Sequence, residues 1–179
     1  MFNSYPIVDV FNAYFNYQVR FSNLYSFFNK DSQTKIQDIK DEFKKVAQKY
    51  NMLLQDKNIP TMTTLKSLTS KSYKFWQADF YDPKNSIFIE LEVNTQKDQS
   101  AWVSAIGQTF MYIADVKFRH SIYIIFVIDK AIKRELNNND KYLLDFLTQI
   151  GIYCYTIYQN DKDEIKSYTT IPSNLFYER

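Results

Sequence analysis

Three acidic side chains lie within the stretch QADFYDPKNSIFIELEVNTQK, residues 77–97: Asp79 ahead of a turn, Glu90 and Glu92 after it. The turn-type sequence DPKN separates two runs of strand-forming residues, so the segment reads as an antiparallel hairpin closed between Asp82 and Ile87. In that register Phe80 faces Ile89, Ala78 faces Leu91 and Trp76 faces Val93, which makes one apolar face. On the other face Asp79 lies across from Glu90 and Gln77 across from Glu92. Directly opposed side chains sit about 4.5–5.5 Å apart at Cβ, where like charges destabilise a strand pair. Two unit charges about 4 Å apart repel by about 4 kcal/mol even at an effective dielectric of about 20. Three things can offset that repulsion: acids that splay toward Lys or Arg in water, a proton shared by two carboxyls, or a divalent cation. The cation is the reading preferred here, because a hard ion such as Mg²⁺ takes one or two carboxylates together with water and substrate phosphate. Asp79 and Glu90 would then be direct ligands, with Glu92 a further ligand or a base that activates water. Asp82 is the alternative first acid, but an Asp before Pro in a turn already has a conformational explanation.

The elements around the hairpin follow from periodicity. TKIQDIKDEFKKVAQKYNMLL, residues 34–54, puts Ile36, Ile39, Phe43, Val46, Tyr50 and Leu53 on one stripe, with Thr34 and Gln37 spaced as a capping box, and predicts an amphipathic helix. A first strand is expected between Leu65 and Ser72, ahead of the hairpin. QSAWVSAIGQTFMYIADVK predicts a helix with Trp102, Ile106, Phe110 and Ile113 on one side. HSIYIIFVID reads as a strand buried on both faces, and a helix around YLLDFLTQIG leads to a last strand, IYCYTIY. The order helix, three strands, helix, strand, helix, strand implies an α/β fold with a mixed sheet.

With 179 residues, 45% apolar and 18% aromatic, the chain has material for one sizeable core and reads as a single domain. Residues 1–30, dense in aromatics, are expected to pack on the core of the α/β domain formed by 31–179, or to serve a homodimer or partner contact. A net charge of +2, from 22 basic and 20 acidic residues, offers no broad basic field, so any nucleic-acid site must be local. The lone Cys154 permits no disulfide within the chain, no signal peptide or membrane span is indicated, and an intracellular protein is expected. One His, His120, and one Cys exclude His-rich or Cys-rich zinc sites, and two Gly without a GxxxxGK or GxGxxG pattern disfavour nucleotide-driven chemistry. The five Lys between residues 35 and 49 read as a solvated helix face, from which Glu42 could reach the acids.

An Asp on one strand, an acid-x-acid pair on the next strand of the hairpin, then a helix and a buried strand, resembles the layout of the PD-(D/E)XK, or restriction-endonuclease-like, nuclease superfamily. Asp79, Glu90 and Glu92 match its acids, and Gln108 and Tyr112 match a Gln-x-x-x-Tyr carried on the following helix by several branches. The likeness spans about Lys35 to Tyr158. It implies a three-layer fold with a central mixed β-sheet flanked by helices, Mg²⁺ or Mn²⁺ as cofactor, and hydrolysis of phosphodiester bonds in DNA, with RNA the alternative. It also implies that Asp79 and Glu90 hold the ion, that Glu92 or Lys97 positions the attacking water, and that Gln108 and Tyr112 contact phosphate or a flanking base. The chain departs from the pattern where the usual Lys is replaced by Glu92; Lys97 in the following loop can supply a cation, whereas Lys74 falls on the apolar face. A catalytically silent binding or assembly subunit of the same fold is the rival expectation.

Overall fold

The computed structural model describes residues 5–21, 23–29, 35–50, 52, 54–60, 75–95, 99–114 and 120–177. Its organising element is the apolar run after His120, which forms strand Ile122–Lys133 with residues 123–129 buried throughout. In chain order the elements are β1 (Tyr5–Pro6), α1 (Ile7–Phe21), α2 (Asn23–Asn29), α3 (Ile36–Lys49), β2 (Gln55–Pro60), β3 (Phe75–Asp82) and β4 (Ile87–Asn94). Then follow α4 (Ser100–Ile113), β5 (Ile122–Lys133), α5 (Asn138–Gln149), β6 (Ile152–Gln159), β7 (Ile165–Thr169) and β8 (Phe176–Tyr177). Six strands form one mixed sheet in the order β2-β3-β4-β5-β6-β7, and β1 pairs with β8 apart from it. The pairs β4–β5 and β5–β6 are parallel; β2–β3, β3–β4 and β6–β7 are antiparallel.

Parallel neighbours need crossovers, and α4 and α5 supply them. Both pack on the same face: Trp102 and Ala105 of α4 and Leu144 and Leu147 of α5 share a buried cluster with Ile125, Val127, Ile152 and Cys154. One-directional strand order with crossovers of one hand puts both helices on one side. The opposite face carries α1 and α3, so the sheet lies between two helical layers. There Phe11, Tyr14 and Phe43 interlock with Phe126 and Tyr155, with ring centroids 4.9–5.8 Å apart. Ile7, Val10, Phe11 and Tyr14 are fully buried, so the aromatic N-terminal helix α1 is core rather than appendage.

Local signals explain the element ends. At the start of α5 the Asn137 side chain accepts from Asp140 N–H at 3.0 Å while the Asp140 carboxylate accepts from Asn137 N–H at 2.8 Å, a reciprocal cap. Gly151, at φ 90°, supplies the left-handed residue that turns α5 into β6. Helix α3 starts later than its spacing suggested: Lys35 occupies the cap, with Asp38 accepting its N–H, and Thr34 and Leu53 lie outside the described residues. Ile36, placed on the apolar stripe by spacing, is half exposed, and the buried side of the helix begins at Ile39 and continues through Phe43, Val46 and Ala47. The strand expected between Leu65 and Ser72 also lies outside the described residues. Two strands of the main sheet escaped the pattern, β2 (QDKNIP) and β7 (IKSYT), as did the short pair β1 and β8. Among the described residues no helix is long and apolar enough to cross a membrane.

Candidate active site

The hairpin forms in the expected register, with Phe80 opposite Ile89, Tyr81 opposite Phe88 and Asp82 opposite Ile87. Asp82 is a turn residue: its carboxylate accepts Lys84 N–H at 2.9 Å and Asn85 Nδ2 at 2.8 Å. Backbone pairing of β3 with β4 runs only from Asp82 to Phe80. At the next step the Asp79 carboxylate, not backbone, accepts the Leu91 N–H, at 2.9 Å. On its other side β3 stays paired to β2 as far as Phe75, with an irregularity: the two-residue step of β2 from Gln55 to Lys57 is matched by a three-residue step of β3 from Tyr81 to Ala78. The extra residue is a bulge, and bulges bend a strand and re-aim its side chains. Asp79 therefore sits in a fork between β3 and β4.

The bulge corrects one part of the sequence reading. Ala78 does not join Phe80 and Leu91 in the core with α1 and α3, but packs with Tyr81, Phe88, Tyr112 and Tyr123 on the α4 side. The rest of the apolar face stands as expected, with Phe80, Ile89, Leu91 and Val93 in the main core; the Trp76 and Gln77 side chains lie outside the described residues.

Glu90 and Glu92 alternate with those core residues and so face α4. Glu90 is buried beside Asp79, and its Oε1 has no hydrogen-bond partner. Burial, reinforced by the Asp79 charge, pushes its carboxyl pKa up to about 9, so Glu90 holds its proton at neutral pH. The proton relieves the repulsion anticipated across the hairpin. Tyr112 stands over Glu90 from α4, with its hydroxyl buried and also without a well-formed partner; burial and the Glu90 charge hold its pKa far above the usual phenol range. Glu92 is half buried, and its pKa is raised by burial and by Asp79, against the opposing pull of Ser104 and Lys40.

Helix α4 presents Gln108 and Tyr112 to these acids. Gln108 Nε2 donates to Ser104 Oγ at 3.0 Å, and Ser104 Oγ lies 3.4 Å from Glu92 Oε1. Tyr112 is buried although it is not on the side expected to be apolar, that of Trp102, Ile106, Phe110 and Ile113, because the buried arc of α4 runs through Trp102, Ala105, Thr109 and Tyr112 and leaves Phe110 45% exposed. Small residues at 105 and 109 let the helix approach the sheet.

The cation of the site was missed. Lys40, one of the five lysines between residues 35 and 49, forms an ion pair with Asp79, and the two side chains are only 22% and 17% exposed. Its charge also acts on Glu92. Glu42, two residues on and therefore on another side of the helix, acts instead on Tyr14 in the core. Lys97 lies outside the described residues, as does Lys74. His120 sits exposed just before β5, and Cys154 is buried, with its thiol pushed up to about 12.

The site thus joins a carboxylate, a protonated carboxyl, a half-buried second Glu and a Lys at one strand fork. Among the described residues no group of three or more His, Cys, Asp or Glu side chains is arranged to hold a metal ion, so Asp79, Glu90 and Glu92 do not stand as a ready three-carboxylate cage. Asp79 and Glu90 alone lie together, with one unpartnered carboxyl oxygen between them and α4. No family model, no curated protein and no solved structure matches the chain.

Proposed function

We propose that the chain is a metal-dependent nuclease of restriction-endonuclease-like architecture that hydrolyses phosphodiester bonds of DNA. The observation that carries the reading is the fork at Asp79, which sets a carboxylate, a buried carboxyl with an unpartnered oxygen and an ion-paired Lys side by side on three different elements. A buried acid with an unpartnered oxygen, kept protonated by burial and by the charge beside it, is costly to stability and is characteristic of functional sites. Asp79 and Glu90 fit a hard divalent ion, since Mg²⁺ usually takes one or two carboxylates from protein. Bound there, Mg²⁺ or Mn²⁺ supplies positive charge against the scissile phosphate and acidifies water at the site.

The chain's own groups then divide the work. Glu90, protonated in the metal-free protein, would release that proton to solvent on ligating the ion, and Glu92, nearer solvent with its affinity for protons raised, would orient and deprotonate the attacking water. Lys40 balances charge on the phosphate from the α3 side, in the role for which the sequence offered Lys97. Gln108, fixed by Ser104, bonds the backbone of the strand, where side-chain amides commonly act. Tyr112 closes the α4 side of the pocket and keeps Glu90 dry.

A second reading, a catalytically silent binding or assembly subunit of the same fold, is favoured by the lack of a three-ligand group among the described residues. Supercoiled plasmid separates the two. Wild-type protein with Mg²⁺ or Mn²⁺ should convert it to nicked and linear forms, and chelation should stop the conversion. Retardation of the DNA without cleavage would support the silent subunit. Cleavage of single-stranded RNA but not of plasmid would reassign the substrate.

A further inference from the structure

The sheet face that carries Glu90 and Glu92 continues past the acids to the carboxyl ends of β4, β5 and β6. Three adjoining recesses open there. One of about 360 Å³ is lined by Glu92, Asn94, Thr95, Ser100 and Ser104. A second, of about 330 Å³, shares Asn94 and is lined also by Gln99, Asp129, Lys133 and Arg134. The innermost, about 150 Å³, shares Gln99 and Asp129 and is walled by Trp102, Leu136, Leu143, Leu144 and Thr156.

Two side chains of the inner recess differ in what they leave free. Asp129 is saturated: Asn94 Nδ2 donates to both of its oxygens at 3.1 Å, Trp102 Nε1 to Oδ2 at 2.8 Å, and Ala131 and Ile132 N–H to Oδ1 at 2.9 and 3.2 Å. Its work is to fix the Trp102 indole as one wall. Thr156, in register with Val127 on the same sheet face, is completely buried, and its hydroxyl has no partner. A buried hydroxyl is normally paired, and Thr156 is one of the residues that line the recess.

We propose that the inner recess receives the six-membered ring of a single pyrimidine nucleotide, with the Thr156 hydroxyl bonding the polar edge of the base and the phosphate lying toward Lys133 and Arg134 in the adjoining recess. The recess is walled by Trp102 and four aliphatic side chains, with Asn139 and Asp140 also in its lining, and its volume of about 150 Å³ matches the space that holds one benzene-sized ring. Lys133 bonds Gln159 and Arg134 pairs with Asp140, so both cationic groups are held at the mouth. The proposal rests on the nuclease reading in one respect: it makes the occupant an unstacked base of the substrate strand, reached from the Glu92 end of the groove.

The test is calorimetric titration of the metal-free full chain with cytidine, uridine and adenosine monophosphates and with inorganic phosphate. At least one pyrimidine nucleotide should bind at least about tenfold more tightly than adenosine monophosphate or phosphate, a difference of about 1.4 kcal/mol. Leu143→Trp, at a rim position that is 45% exposed and so tolerates a larger side chain, should fill the recess and erase that preference. Thr156→Val should weaken pyrimidine binding about three- to tenfold, the worth of one hydrogen bond, with the melting temperature confirming the fold. If that variant fails to fold, Leu143→Trp decides. Equal binding of all four probes, no pyrimidine binding, or a preference unchanged in Leu143→Trp would overturn the proposal. The titration involves neither metal nor Asp79 and Glu90, so failure of the cleavage reading leaves its result standing. A pyrimidine trinucleotide that competes with the mononucleotide would tie the recess to a strand rather than to a free nucleotide; one that does not compete would confine it to free nucleotides and overturn the strand assignment.

Discussion

Glu90→Gln is expected to lower metal-dependent plasmid cleavage by about 10²–10³-fold or more while making the metal-free protein more stable at pH 8. The two effects have one origin. Glu90 ordinarily titrates at 4.5, but its folded-state pKa is about 9, from burial and the Asp79 charge. Below about pH 4.5 folded and unfolded chains both hold the proton, and Glu90 contributes no pH-dependent cost. Between about pH 4.5 and 9 the unfolded chain has released the proton and the folded chain has not, so stability declines as pH rises. Gln does not titrate and keeps a neutral side chain of the same shape. The variant's advantage should thus be absent near pH 4 and grow toward pH 8, reaching at least about 1 kcal/mol, or about 2–4 °C for a chain of this size. Thermal melts at pH 4, 6 and 8 beside a cleavage assay check both halves. A variant that melts lower than wild type at every pH would show that Glu90 has a structural partner.

Lys40→Met is the second variant with a large expected effect. Cleavage should fall by about 10²–10³-fold, as when one preorganised charge is removed from a transition state. Metal binding should not fall with it. Removing a cation beside Asp79 eliminates repulsion toward an incoming ion, so Mn²⁺ should bind as well as in wild type or better, unlike in Glu90→Gln. Loss of the partly exposed ion pair itself should cost only about 1 kcal/mol or less. Lys40→Arg keeps the charge and should recover part of the activity. Full cleavage by Lys40→Met would reduce Lys40 to an ion-pair partner of Asp79.

How much of this was legible depended on where the determinants lie. The hairpin register was, because alternating apolar and acidic residues around DPKN leave one face for the core. The buried strand β5 and the crossover helices were legible for the same reason. Strands β2 and β7 were not: QDKNIP and IKSYT pair through backbone at or near the sheet's edges and need no apolar period. The fork was not, since Asp79 stands apart only because a bulge against β2 shortens its pairing with β4. Hydrophobicity singled out Phe110 on α4, while contact with the sheet is made through Ala105 and Thr109. Lys40 carries no local signal at all. It is one of five lysines on and capping an ordinary amphipathic helix, and only packing of α3 against the sheet distinguishes it from Lys35, Lys44, Lys45 and Lys49.

Whether Asp79 and Glu90 hold a divalent ion is tested directly by a calorimetric titration of the full chain with Mn²⁺ at pH 7, repeated in buffers of different ionisation enthalpy. The predicted result is one site whose occupation releases about one proton per ion, because a carboxyl with a pKa of about 9 must ionise before it ligates, and which is lost in Glu90→Gln. No binding by wild type, or binding without proton release that survives Glu90→Gln, would contradict it.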